Sequence, residues 1–77
     1  VARRYVMLDY DLPAELLEQA TEIAQGMQSP TVSPLQREGW VAARVMVPRR
    51  EANRIMDDLY ALGARALLVT AIDNARL

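Results

Sequence analysis

With 77 residues the chain has room for one small domain, and 52% apolar against 25% charged residues places it among folded rather than disordered sequences. Nine basic residues, all Arg, against ten acidic ones leave a net charge of −1, which is not the electrostatic footprint of a nucleic-acid or membrane-surface binder. Cys and His are absent, which excludes disulfides, thiolate chemistry, ordinary zinc sites and imidazole acid–base catalysis together.

Tyr5-Val6-Met7-Leu8-Asp9-Tyr10 is β-branched, aromatic and apolar, and reads as a first strand. Leu12-Pro13 stops it, because Pro fixes φ and suits a first helical turn. From Ala14 the apolar positions Leu16, Leu17, Ala20, Ile23 and Ala24 form a helical stripe, with Glu15 and Glu18 early in it and Gly26 closing it. Ser29 to Leu35, bracketed by prolines, suits an edge strand. Gln36-Arg37-Glu38-Gly39 makes a hairpin loop into Trp40–Val47, the clearest strand of all. Pro48 opens a second helical stripe at Ala52, Ile55, Met56, Leu59 and Leu62, which Gly63 closes, and Ala66 to Ile72 is the last strand. No apolar run reaches the ~20 residues that span a bilayer, and no signal-peptide pattern is present, so the expected setting is cytoplasmic. The chain opens on Val1 rather than Met, and reads as a piece of something longer.

The halves share their punctuation. An apolar-Pro pair opens each helix and a Gly follows the Pro after 13 residues in one half and 15 in the other. The order βαββαβ is the split βαβ, ferredoxin-like arrangement, an α+β fold. It predicts a four-stranded antiparallel sheet of order 4-1-3-2 with both helices on one face. On the third strand Val41, Ala43, Val45 and Val47 share a face, and on the first Val6 and Leu8 do, so these sets should meet the helices. The mixed set, Tyr5, Met7, Asp9, Asp11, Trp40, Ala42, Arg44 and Met46, should line the helix-free face. So much apolar area rarely stays in water, which favours pairing with a second copy over cover by the rest of a longer chain.

The inventory for catalysis is poor. Asp9 and Asp11 share a face and form a conceivable carboxylate pair, but one solvated or ion-paired acid and one helix-flanking acid is the plainer reading. Asp57-Asp58 reads as a solvated helix face, and the three glycines are too scattered to cradle phosphate. RNA-binding versions of this fold need exposed aromatics on the central strands, where only Trp40 is offered. Metal-chaperone versions need cysteines. A small-molecule effector module and a pure oligomerisation module remain, and fold alone does not separate them.

Met7-Leu8-Asp9-Tyr10-Asp11, Glu22-Ile23 leading to Gly26, and Ser29-Pro30-Thr31 with Pro34-Leu35 together resemble the C-terminal regulatory domain of long-form ATP phosphoribosyltransferase. Trp40-Val41-Ala42, Met46-Val47-Pro48-Arg49, Asn53, Ile55-Met56-Asp57, Leu59 and Leu62 to Leu68 continue the match. Ala24-Gln25 and Met27 depart from the Thr-Pro and Leu common there, and Met27 stands to reshape a pocket wall. The resemblance implies that residues 1–77 are a single regulatory domain without catalytic activity of its own and without a cofactor or metal. Magnesium and the joining of ATP to phosphoribosyl pyrophosphate would belong to upstream catalytic domains. The implied ligand is L-histidine, bound for feedback inhibition of the first step of histidine biosynthesis, and the alternative is a ligand-free oligomerisation module. Carried over residue by residue, the histidine contacts fall on Asp11, Met27, Thr31, Met46 and Ala66, with Ser29 adjacent. Asp11 would hold a cationic group, Thr31 or Ser29 would supply a hydroxyl, and Met27 and Met46 would form apolar walls. The expected partners are histidine, the upstream domains and neighbouring copies in a homo-oligomer; neither nucleic acid nor membrane is expected.

The topology adds one expectation. Strands 1 and 2 run up and 3 and 4 run down, which places Asp11 and Ala66 at the top edge and Thr31 and Met46 at the bottom. About 15–20 Å would separate them, too far for one histidine, so the site should form between subunits.

Overall fold

The structure, a computed structural model, describes residues 5–25 and 29–72. Strand β1 (Tyr5–Pro13) leads through a 3₁₀ turn (Ala14–Leu16) into helix α1 (Leu17–Ile23). Strand β2 (Thr31–Pro34) and strand β3 (Trp40–Pro48) form a hairpin, a second 3₁₀ turn (Arg49–Glu51) leads into helix α2 (Ala52–Leu62), and strand β4 (Arg65–Ala71) ends the fold. The four strands are antiparallel in the order β2-β3-β1-β4, the ferredoxin-like topology that the element order predicts.

The repeated punctuation has a physical counterpart. Pro13 (φ −58°, ψ 135°) and Pro48 (φ −60°, ψ 135°) hold nearly the same dihedrals, each as the last residue of a strand. Extended ψ lets Pro finish the strand, while its fixed φ suits the tight turn that follows. Each strand therefore runs to its proline; α1 proper begins at Leu17, three residues after the apolar stripe opens at Ala14, while α2 begins at Ala52, where its stripe does. Gly63 ends α2 at φ 134°, where its N–H and that of Ala64 reach back to Leu59 and Tyr60 carbonyls at 2.9–3.1 Å. Arg65 adds a guanidinium to the same helix end: it lies 4.0 Å over the Tyr60 ring and donates to the Tyr60 and Ala64 carbonyl oxygens. Gly26, expected to close α1, lies outside the described residues.

Strand alternation sorts the side chains as the sequence predicts. Val6, Leu8, Tyr10 and Leu12 of β1 and Ala43, Val45 and Val47 of β3 are buried beneath the helices. Against them pack Ala20 and Ala24 from the α1 segment and Ala52, Ile55 and Leu59 from α2. Tyr10 is the largest fully buried side chain, and its hydroxyl finds no hydrogen-bond partner. Burial without a partner pushes its phenol above the ordinary value near 10. Among the described residues no helix is long and apolar enough to cross a membrane.

Candidate functional site

The helix-free face is built in rungs. Asp9 of β1 stands beside Arg44 of β3, which stands beside Thr31 of β2; one step up, Asp11, Ala42 and Ser33 form the next rung. Successive rungs on one face are two residues apart, about 7 Å. Large side chains at the rim and a methyl group at Ala42 in the centre leave a concavity of about 260 Å³ lined by Asp9, Asp11, Thr31, Ser33, Ala42 and Arg44, with Tyr10 and Ala43 in its floor. Tyr10 and Ala43 point their side chains into the core, so strand alternation leaves their main chain to form that floor.

The concavity holds two acids and one base, and they are not equivalent. Arg44 Nε donates to Asp9 Oδ1 at 2.7 Å, and this contact raises the guanidinium pKa further above its usual value. The Arg44 side chain is 61% exposed and that of Asp9 only 26%. The pair is therefore solvent-screened, and contributes charge arrangement rather than stability. Asp11 forms no ion pair among the described residues. No group of three or more potential metal ligands exists among them either.

The six residues singled out from the sequence separate into distinct groups. Asp11 and Thr31 line the same concavity. Ala66 follows Arg65, the register partner of Asp11, and adopts φ 56°, the left-handed region that non-glycine residues rarely enter. It sits where β1 advances from Asp9 to Asp11 while β4 covers Leu68 to Arg65, one residue more, so the strain belongs to a bulge at the edge of the site. Ser29 is exposed two residues before β2 and does not line the concavity. Met46 is half-buried beside Met7, four residues along β3 from Ala42, about 13 Å away. Met27 lies outside the described residues.

Thr31 corrects the topological expectation. It is not at the bottom edge with Met46 but at mid-height, level with Asp9. β2 has only four residues and pairs solely with the upper half of β3, Val41 to Arg44, so the strand starts half-way up the sheet. Asp11 and Thr31 are thus one rung and two strands apart, about 12 Å between backbones, rather than at opposite edges. The sequence argument also left Ser33 out of the site, although its place two residues after Thr31 puts both hydroxyl-bearing side chains on one face.

The HisG, C-terminal domain family model matches residues 2–74. The chain belongs to this family. It is 66% identical over all 77 residues to the ATP phosphoribosyltransferase of Streptomyces avermitilis, 64% to that of Streptomyces coelicolor and 61% to that of Salinispora tropica. In each case it spans 27% of the relative's length, so this HisG C-terminal domain corresponds to one part of those longer proteins. Its ferredoxin-like sheet leaves one face open, and that face carries Asp11 and Thr31.

Proposed function

We propose that this HisG C-terminal domain is the effector-sensing part of an ATP phosphoribosyltransferase, a cytoplasmic enzyme of histidine biosynthesis, and that it binds free L-histidine for feedback inhibition. The observation that carries this reading is the meeting of Asp11 and Thr31 in one concavity on the uncovered face. Asp11, free of an ion-pair partner among the described residues, accepts a charge-assisted hydrogen bond from a cationic group of the ligand. Thr31 offers a hydroxyl inside the concavity, and the bulge at Ala66, next to the register partner of Asp11, carries only a methyl group. Catalysis, with its magnesium, belongs to the other parts of such an enzyme, and this domain acts by coupling ligand binding to them.

Met46 lies too far down β3 to share one histidine with Asp11 in a single copy. If Met46 and Met27 wall the ligand, a neighbouring copy supplies Met46, so the site is completed by homo-oligomerisation through the open face. That face is suited to it, with Met7 and Met46 half-buried and Leu68 59% exposed. Histidine then stabilises the assembled state by linkage, and its thermal shift grows with protein concentration.

Isothermal titration of L-histidine into the assembled chain tests the reading. Asp11→Asn is expected to weaken binding by about 1–3 kcal/mol, roughly 5- to 150-fold, while leaving assembly intact. Unchanged affinity removes Asp11 from the site. No heat from a properly assembled chain leaves a domain that only joins subunits.

A further inference from the structure

Two carboxylates stand on one face of β1, at Asp9 and Asp11, yet a ligand with a single cation needs only one. The structure gives them different neighbours. Arg44 comes from the central partner strand at the Asp9 rung and commits its Nε to Asp9 at 2.7 Å; the Asp11 rung presents Ala42 and Ser33, which carry no charge. From β4, the rungs beside Asp9 and Asp11 present Leu68 and Arg65, and the Arg65 guanidinium is turned to the carbonyls ending α2. The charged groups of the concavity are therefore Asp9, Asp11 and Arg44, with a net charge of −1.

We infer that the Asp9–Arg44 pair sets the ligand selectivity of this concavity: by neutralising Asp9 it leaves Asp11 as the single acceptor, and so admits a zwitterion where a net-negative pair of acids would favour a bare cation. The inference rests on the proposed histidine site and names a residue pair that site does not otherwise use. Arg44 acts here through Asp9, as a positioning residue, and its charge rather than its shape is what matters, because only one guanidinium nitrogen reaches the acid.

Removing that charge leaves an unbalanced carboxylate about 7 Å from Asp11, within the range where a unit charge still acts across a partly screened surface. L-histidine and histamine are the probes, titrated at pH 8, where imidazole is neutral and the two differ in formal charge only by the carboxylate. The protein is the full chain that carries this sequence. In Arg44→Gln the preference for histidine over histamine is expected to fall about five- to tenfold, because the extra negative charge repels one ligand's carboxylate and attracts the other's net charge. Arg44→Lys should keep the preference. The double variant Asp9→Asn with Arg44→Gln restores a net charge of −1 and should return it to within about twofold.

An unchanged preference in Arg44→Gln overturns the inference, as does a double variant whose preference stays low, which would mean that Arg44 touches the ligand's carboxylate itself. Loss of the preference in Arg44→Lys also overturns it. If the unaltered chain binds neither compound, the histidine site fails and this inference with it; binding of both with an unmoved ratio overturns the inference alone.

Discussion

The two faces of this sheet are woven from the same strands, one face taking the odd positions of β1 and the other the even, yet they obey different rules. On the covered face Leu8, Leu12 and Val47 are fully buried, and no polar or charged residue joins them apart from the Tyr10 hydroxyl. On the open face Asp9, Asp11, Arg44, Thr31 and Ser33 keep water and one another for company. The covered face holds the fold through area removed from water; the open face contributes little to stability and is free to carry a charge pattern. A mutation should therefore read out in stability on one face and in ligand affinity on the other.

The strongest test of that division is Leu8→Ala. Truncating a fully buried leucine at the centre of β1 is expected to cost about 2–5 kcal/mol in denaturant unfolding, enough to threaten so small a fold. On the opposite face of the same strand, Asp11→Asn should change unfolding by under about 0.5 kcal/mol while lowering histidine affinity as stated above. Equal destabilisation by both would break the comparison.

Gly63→Ala probes the junction that carries the chain from α2 back to the sheet. Its φ of 134° suits no residue with a Cβ, and that carbon would meet Leu16 Cδ1 at 3.2 Å. A loss of about 1–3 kcal/mol is expected in thermal or denaturant unfolding, with ligand selectivity untouched.

Tyr10→Phe sharpens the comparison from within the core, and has the smallest effect at neutral pH. It removes the buried hydroxyl that no group satisfies, so stability at pH 7 should stay level or rise by under about 1 kcal/mol. The larger signature is alkaline. The folded phenol titrates above its unfolded value, so the folded state retains its proton after the unfolded state has lost it, and stability falls as pH rises through and beyond about 10. Below that pH the group contributes no slope. The parent chain should lose stability there faster than Tyr10→Phe, by up to about 1.4 kcal/mol per pH unit, and parallel pH profiles would refute the assignment.

Much of this was legible beforehand because it is local. The period-two alternation of Val6 and Leu8 against Met7, Asp9 and Asp11 names the covered face without any structure, and the proline and glycine punctuation locates both crossovers. Local cues misjudged the element ends. β1 continues through Leu12 to Pro13, where Pro still fits an extended ψ, and the stripe read from Ala14 opens on a 3₁₀ turn, Ala14–Leu16, that an apolar stripe does not distinguish from α-helix; the second helix begins at Ala52, where its stripe does. Asp11 and Thr31 entered the site through family resemblance; Asp9, Arg44 and Ser33 share their face by alternation alone.

By itself, then, the sequence determined which residues lie on which face, the order of the elements and, through that order, the sheet topology. The tertiary structure decided the rungs. Alternation constrains strand register only in steps of two residues, because a shift by two returns every side chain to the same face. The height of Thr31 beside Asp9 and Arg44, and with it the meeting of Thr31 and Asp11 in one concavity, was therefore open until β2 paired with Val41 to Arg44. So was the choice of Asp9 rather than Asp11 as the partner of Arg44, since ion pairs between strands 35 residues apart follow from register and from nothing nearer in the chain.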